Sequence, residues 1–98
     1  MELNTSLSSE QASFALWLEG NFPYLLPLFD FQKRELSTAK LEQYLSVASE
    51  GEQIMARFVA SVWMGENTYE FNIIDAARTL DKKQRSIVAD WLKDPLWP

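Results

Sequence analysis

From Ser8 onward the apolar positions recur with the period of a helix, not with the alternation of a strand. Ser8 and Gln11 stand three apart, as in a capping box, and lead into Phe14, Trp17 and Leu18 at i, i+3 and i+4. Gly20 is the expected stop of that helix, with Pro23 beyond it. The next stretch, "NFPYLLPLFDF", is apolar without a period and carries Pro27, which lacks a backbone donor. Short turns are expected there. Ser37 then caps a second helix, flanked by the staple pair Leu36 and Leu41, with Leu41, Tyr44, Leu45 and Ala48 as its apolar stripe.

A second box, Ser49–Glu52, opens the segment with the widest apolar face. Ile54, Met55, Phe58, Val59, Val62 and Trp63 follow at i, i+1, i+4, i+5, i+8 and i+9, and Gly65 ends the run. This is the expected central helix. "NTYEF" is strand-like, but a lone strand would leave its backbone groups unpaired, so it reads as a loop. After Asn72, "IIDAAR" reads as a short helix broken around Thr79 and Leu80. Asp81 and Gln84 form a third cap-like pair, before a stripe of Ile87, Val88, Trp91 and Leu92. Asp94 precedes Pro95 and is pushed out of helical geometry, so the last helix should end near Lys93.

The pattern therefore predicts an all-α fold, a compact single-domain bundle of five or six short helices spanning residues 1–98. Residues 1–7 are expected to be flexible. Residues 94–98, "DPLWP", should form a non-helical tail in which Leu96 and Trp97 fold back over the central and final helices. The competing reading holds the same tail out in trans, as a docking peptide.

Length agrees with one domain, since 98 residues leave no room for two cores. The aromatic share of 13%, including four tryptophans, suits both a small core and an interface, and leaves a homo-oligomer open. Charge adds an asymmetry. The net charge of −5 comes wholly from residues 1–69, which hold nine acids against four bases, while residues 70–98 hold five of each. An acidic chain repels phosphate backbones, so nucleic acid is not the expected partner.

The candidate chemistry is thin. There is no cysteine and no histidine, which excludes thiol and His-based catalysis and the commonest metal ligands. "STAK" at 37–40 matches a serine–lysine nucleophile motif, yet its companion motifs are missing and Ser37 serves better as a helix cap. Glycine occurs only at positions 20, 51 and 65, no two close enough to cradle a phosphate, so the Walker and dinucleotide fingerprints are absent. The carboxylate pairs Asp90/Asp94 and Glu66/Glu70 lack a third ligand. No enzyme, no metal and no cofactor is expected. No apolar run approaches the roughly 20 residues of a membrane span, and the start "MELNTSLSSEQ" lacks the basic and apolar regions of a secretory signal. The cytoplasm is the expected location.

Residues 73–93 could also be a helix-turn-helix, because Lys82, Lys83, Gln84 and Arg85 stand where a reading helix meets bases. That segment is the alternative, a nucleic-acid-binding regulator. Finally, Ser49, Gly51, Glu52, Phe58, Trp63, Gly65, Phe71, Asp75, Leu80, Asp81, Arg85, Trp91 and the Pro95–Pro98 end resemble small uncharacterised proteins of proteobacteria and their mobile elements. The resemblance covers about the last half of the chain and brings no catalytic or binding residue. It implies a bacterial or phage-borne accessory protein. The expected function is an acidic protein-interaction module, an accessory or inhibitor, whose partner is another and basic protein. Its candidate surface comprises Trp97, Leu96, Glu50, Glu66, Lys82, Lys83 and Arg85.

Overall fold

Caps written into the sequence set most of the helix boundaries. The structure, a computed structural model, describes residues 7–98; the expectation of a flexible 1–7 segment therefore falls, but for Leu7, outside the described residues. Helix α1 (Ser9–Asn21) begins where the Ser8 hydroxyl accepts the Gln11 N–H at 3.0 Å and the Gln11 side chain accepts the Ser8 N–H at 3.2 Å. Gly20 does not stop it. The helix runs to Asn21 and closes on Phe22, whose N–H donates to the Leu18 carbonyl at 2.7 Å as its φ swings to −139°. Burial of Phe22 and the donor-free Pro23 that follows set this end. Pro23–Leu28 then winds as a 3₁₀ helix, the tight short turns expected of a proline-punctuated run.

One element escaped the sequence pattern. Phe29–Asp30 (β1) and Glu35–Leu36 (β2) pair antiparallel, Phe29 opposite Leu36 and Asp30 opposite Glu35. Their turn is closed by the Asp30 carboxylate, which accepts the Lys33 N–H at 3.1 Å, and it places Arg34 at φ 55°. The hairpin does not change the class of the fold, which is all-α.

Helix α2 (Thr38–Val47) starts on the Ser37 hydroxyl, and α3 (Glu50–Met64) on the reciprocal Ser49–Glu52 box. Gly65 ends α3 at φ 72°, its N–H shared between the carbonyls of Ser61 and Val62 at 2.9 and 3.2 Å. In that left-handed conformation a Cβ would be strained. The "NTYEF" stretch is a loop. Its Asn67 side chain accepts the Phe71 N–H at 2.8 Å, and Arg57 reaches across from α3 to donate to the Tyr69 carbonyl at 2.8 Å. Asn72 caps α4 (Ile73–Thr79) through two N–H groups at 2.9 Å, and the Asp81–Gln84 box starts α5 (Lys82–Lys93).

The central helix lies at the heart of the core. Met55, Phe58, Val59 and Val62 of α3 pack with Phe14 and Leu18 of α1, Phe22, Leu25 and Leu41. Phe14 sits 5.1 Å from the Trp63 ring, 5.4 Å from Phe29 and 5.7 Å from Trp17, spacings at which tilted and edge-on rings attract. Among the described residues no polar or charged residue is buried. The Cα radius of gyration, 13.0 Å, is that of one close-packed domain of about 100 residues.

Candidate docking groove

Helices α4 and α5 are joined by Leu80 and Asp81 alone, which act as the C-cap of one and the N-cap of the other. Each helix turns an apolar stripe toward the space between them. On α4 and its C-cap the stripe is Ile73, Ala76, Ala77 and Leu80, and on α5 it is Val88, Ala89 and Leu92, with the Arg85 side chain one turn ahead on the same face. Both follow i, i+3, i+4, i+7, the spacing of one helix face. Ala76, Leu80 and Val88 are buried and form the floor. Ala77 and Ala89 are exposed, and being small they keep the channel open.

This narrow part holds about 150 Å³. It shares Ile73, Val88 and Leu92 with a wider cleft of about 440 Å³, floored by Phe58 and Val62 of α3 and walled by Trp91 and Trp97. Glu66 and Asn67 are among the residues lining the wider cleft, and Arg85 lines the narrow one. Ile73 is 50% exposed, Leu92 57% and Trp97 52%. Three large apolar side chains thus rim one channel, and clustering of this kind, unlike scattered exposure, marks an interaction surface.

The tail helps to build the channel. Past Asp94 the chain turns, and the Trp91 indole N–H donates to the Leu96 carbonyl at 3.2 Å. Trp97 then meets Trp91 edge to face with ring centroids 5.0 Å apart, while Leu96 packs half-buried against the core. The two tail residues therefore differ. Leu96 is held inward, and Trp97 is shared between core and solvent.

Of the remaining residues expected on the surface, Glu66 and Arg85 reach the channel, but Glu50 does not. Glu50 lines a separate polar cleft of about 650 Å³ with Arg57, Glu70, Asp75 and Arg78. That cleft is larger, yet its cations are engaged: Arg57 on the Tyr69 carbonyl, and Arg78 on Asp75 at 2.6 Å. Lys82 and Lys83 lie exposed in the first turn of α5, outside the apolar lining. Arg85 bends back to donate to the Leu80 carbonyl, at the end of α4. Ile73, Ala77 and Ala89 belong to the channel and were missed in the sequence. Their helical spacing was the available signal, and it does not separate a core stripe from an open one.

Hydrogen bonds and burial shift the titration of four described side chains. The Glu10 carboxyl is lowered by the Ser9 hydroxyl, and that of Glu52 by the Ser49 backbone and hydroxyl in the α3 cap. Burial raises Tyr24, and it pushes Tyr44 up to about 12, with Glu52 and Tyr24 adding to the effect. The Tyr44 hydroxyl is buried with no hydrogen-bond partner. Among the described residues no group of three or more carboxylates could hold a metal ion, and no helix is long and apolar enough to cross a membrane. Compared with known proteins, the chain matches no family model, no curated protein and no solved structure.

Proposed function

We propose that this chain is a small acidic docking module that works by binding another protein along the α4–α5 channel, not by catalysing a reaction. One observation carries the reading: Ile73, Leu92 and Trp97, each at least half exposed, converge on a single channel with an apolar floor. Exposed apolar surface so arranged gains free energy when covered, at about 25 cal/mol per Å² removed from water. The net charge of −5 supplies a field that draws a basic partner in. An accessory or inhibitor role in a bacterium or mobile element suits the size and the resemblance of the second half of the chain.

The helix-turn-helix alternative ranks behind it for two reasons. The Asp81 carboxylate caps the N-terminus of α5 and sets a negative charge at the end that would approach the DNA. Arg85, needed at a base edge, is turned onto Leu80. The test is a photo-crosslinking amino acid placed at Leu92 or Ile73 in the channel, or at Leu16 or Val47 elsewhere on the surface. Discrete protein adducts are expected from the first pair alone. Adducts from Leu16 and Val47 alone, or nucleic acid recovered in place of protein, would overturn the proposal.

A further inference from the structure

The wider cleft is more than apolar. Four of its lining residues form a chain of touching rings, Phe71, Phe58, Trp91 and Trp97, with successive centroids 5.1, 5.5 and 5.0 Å apart. Successive planes meet at 51°, 88° and 79°, so the rings wall the space in more than one direction instead of lying as a flat floor. The Trp91 indole N–H is already donated to the Leu96 carbonyl, which leaves that ring its π surface to offer. Aromatic faces carry the negative side of a quadrupole and attract cations, tryptophan most strongly. At about 440 Å³ the cleft falls in the range of small-molecule sites, roughly 300–1,000 Å³.

The charge in this lining has one sign. Ser61, Val62, Gly65 and Glu66 bring in the C-terminal end of α3, a helix of 15 residues whose dipole leaves about half a negative charge there. No basic residue lies in its last turn. The exposed Glu66 carboxylate follows, accepting the Thr68 hydroxyl at 2.9 Å and standing in no ion pair among the described residues. No Lys or Arg lines the cleft. A metal ion or a bare ammonium is tightly hydrated and would surrender that water to apolar walls. An alkylated ammonium spreads its charge over methyl groups, and aromatic faces suit it. A neutral apolar molecule would fit the same walls but gain nothing from Glu66 or the end of α3. We infer that the wider cleft is a binding site for a small organic cation, an alkylated ammonium on a free small molecule, with its methyl groups against Phe58, Trp91 and Trp97 and its charge balanced by Glu66 and the α3 terminus. The site goes beyond the docking reading and does not rest on it.

The experiment is proton–nitrogen NMR of the full chain, titrated at constant ionic strength with choline and, in parallel, with neohexyl alcohol, its neutral isostere with carbon in place of nitrogen. Choline should saturate in the millimolar range and move the indole signals of Trp91 and Trp97 and the amides of Gly65 and Glu66. The amides of Leu16 and Val47, elsewhere on the surface, should stay in place. Choline should bind at least about fivefold more tightly than the alcohol. Glu66→Lys, at an exposed position, should weaken choline about tenfold or more and leave the alcohol unchanged. Trp97→Leu, which keeps an apolar side chain without a π face, should weaken choline more than the alcohol. Crosslinking at Leu92 and Ile73 is read separately, so protein docking stands or falls apart from this result. Equal binding of the two probes would reduce the cleft to an apolar one and defeat the inference. Shifts centred elsewhere, or no saturation by about 50 mM choline, would remove the site. A trimethyllysine peptide bound more than about tenfold tighter than choline would give the cation to a modified protein and overturn the assignment to a free molecule.

Discussion

Replacing Trp97 with alanine separates a tail that builds the fold from one that merely touches it. An aromatic side chain can bury about 150–250 Å², and with 52% of Trp97 exposed about half of that, roughly 70–120 Å², is withheld from water. At about 25 cal/mol per Å² the loss is about 2–3 kcal/mol, an upper bound because an unfolded chain already hides some apolar surface. The position is open to solvent, so no enclosed cavity adds to the cost. A fully buried ring such as Phe14 should instead cost about 3–5 kcal/mol. Urea unfolding followed by circular dichroism reads the difference, as a fall of about 1 M in the midpoint at unchanged slope. A companion variant, Trp91→Phe, keeps an aromatic ring, though a smaller one, toward Phe58 and Trp97 and removes the donor to the Leu96 carbonyl. It should cost about 0.5–1.5 kcal/mol. If Trp97→Ala leaves the midpoint unchanged, the clasp of Trp91 on the tail is energetically idle and the tail is no part of what stabilises the fold.

The remaining expectations concern the backbone, alkaline pH and DNA. Gly65→Ala should destabilise by about 1–2 kcal/mol in thermal or urea unfolding, because φ 72° strains any Cβ even with open space around it. Gly20→Ala, inside α1 and likewise uncrowded, should stabilise by about 0.5–1 kcal/mol; a loss there would show that Gly20 ends the helix after all. Tyr44 ionises at about 12 in the folded chain against about 10 when unfolded, so between pH 10 and 12 the unfolded state sheds a proton that the native state keeps. Stability should fall across that window. Tyr44→Phe should shrink the fall and leave stability at neutral pH equal or higher, since it removes an unpartnered hydroxyl. Duplex DNA should show no measurable binding near 0.15 M salt; binding abolished by Lys83→Ala with Arg85→Ala would reinstate the helix-turn-helix.

The parts of the fold visible in the sequence are those specified within four residues. Ser8, Ser49 and Asp81 each sit three residues before a Gln or Glu, and each makes both bonds of its box. Gly65 and Pro95 stop their helices through their own backbone chemistry. The hairpin was hidden because its strands are two residues long, too short for alternation, and its left-handed turn residue is Arg34, not Gly or Asn. Gly20 misled because permissive geometry is an option that a helix need not use.

The site was half legible for a deeper reason. Leu92 and Val88 belong to one apolar stripe, yet Val88 is 4% exposed and Leu92 57%. Periodicity assigns a residue to a face; which other element covers that face is settled by packing, and packing leaves α4 and α5 with an open channel between them. Trp97 fails to read for the same reason. Its position after a proline break predicts a return toward the core, but not that Leu96 takes the inner place.

The meeting of Trp91 and Trp97 has an optical consequence. Two indoles with centroids 5.0 Å apart and planes at 79° are close enough for their excited states to couple. Such a pair absorbs as an exciton doublet, whose halves have opposite sign in circular dichroism. This pair's share of the signal vanishes when either ring moves away. Because Trp97 also walls the wider cleft, anything that displaced or reoriented the tail would change a signal of the chain itself, read without dye, tag or mutation.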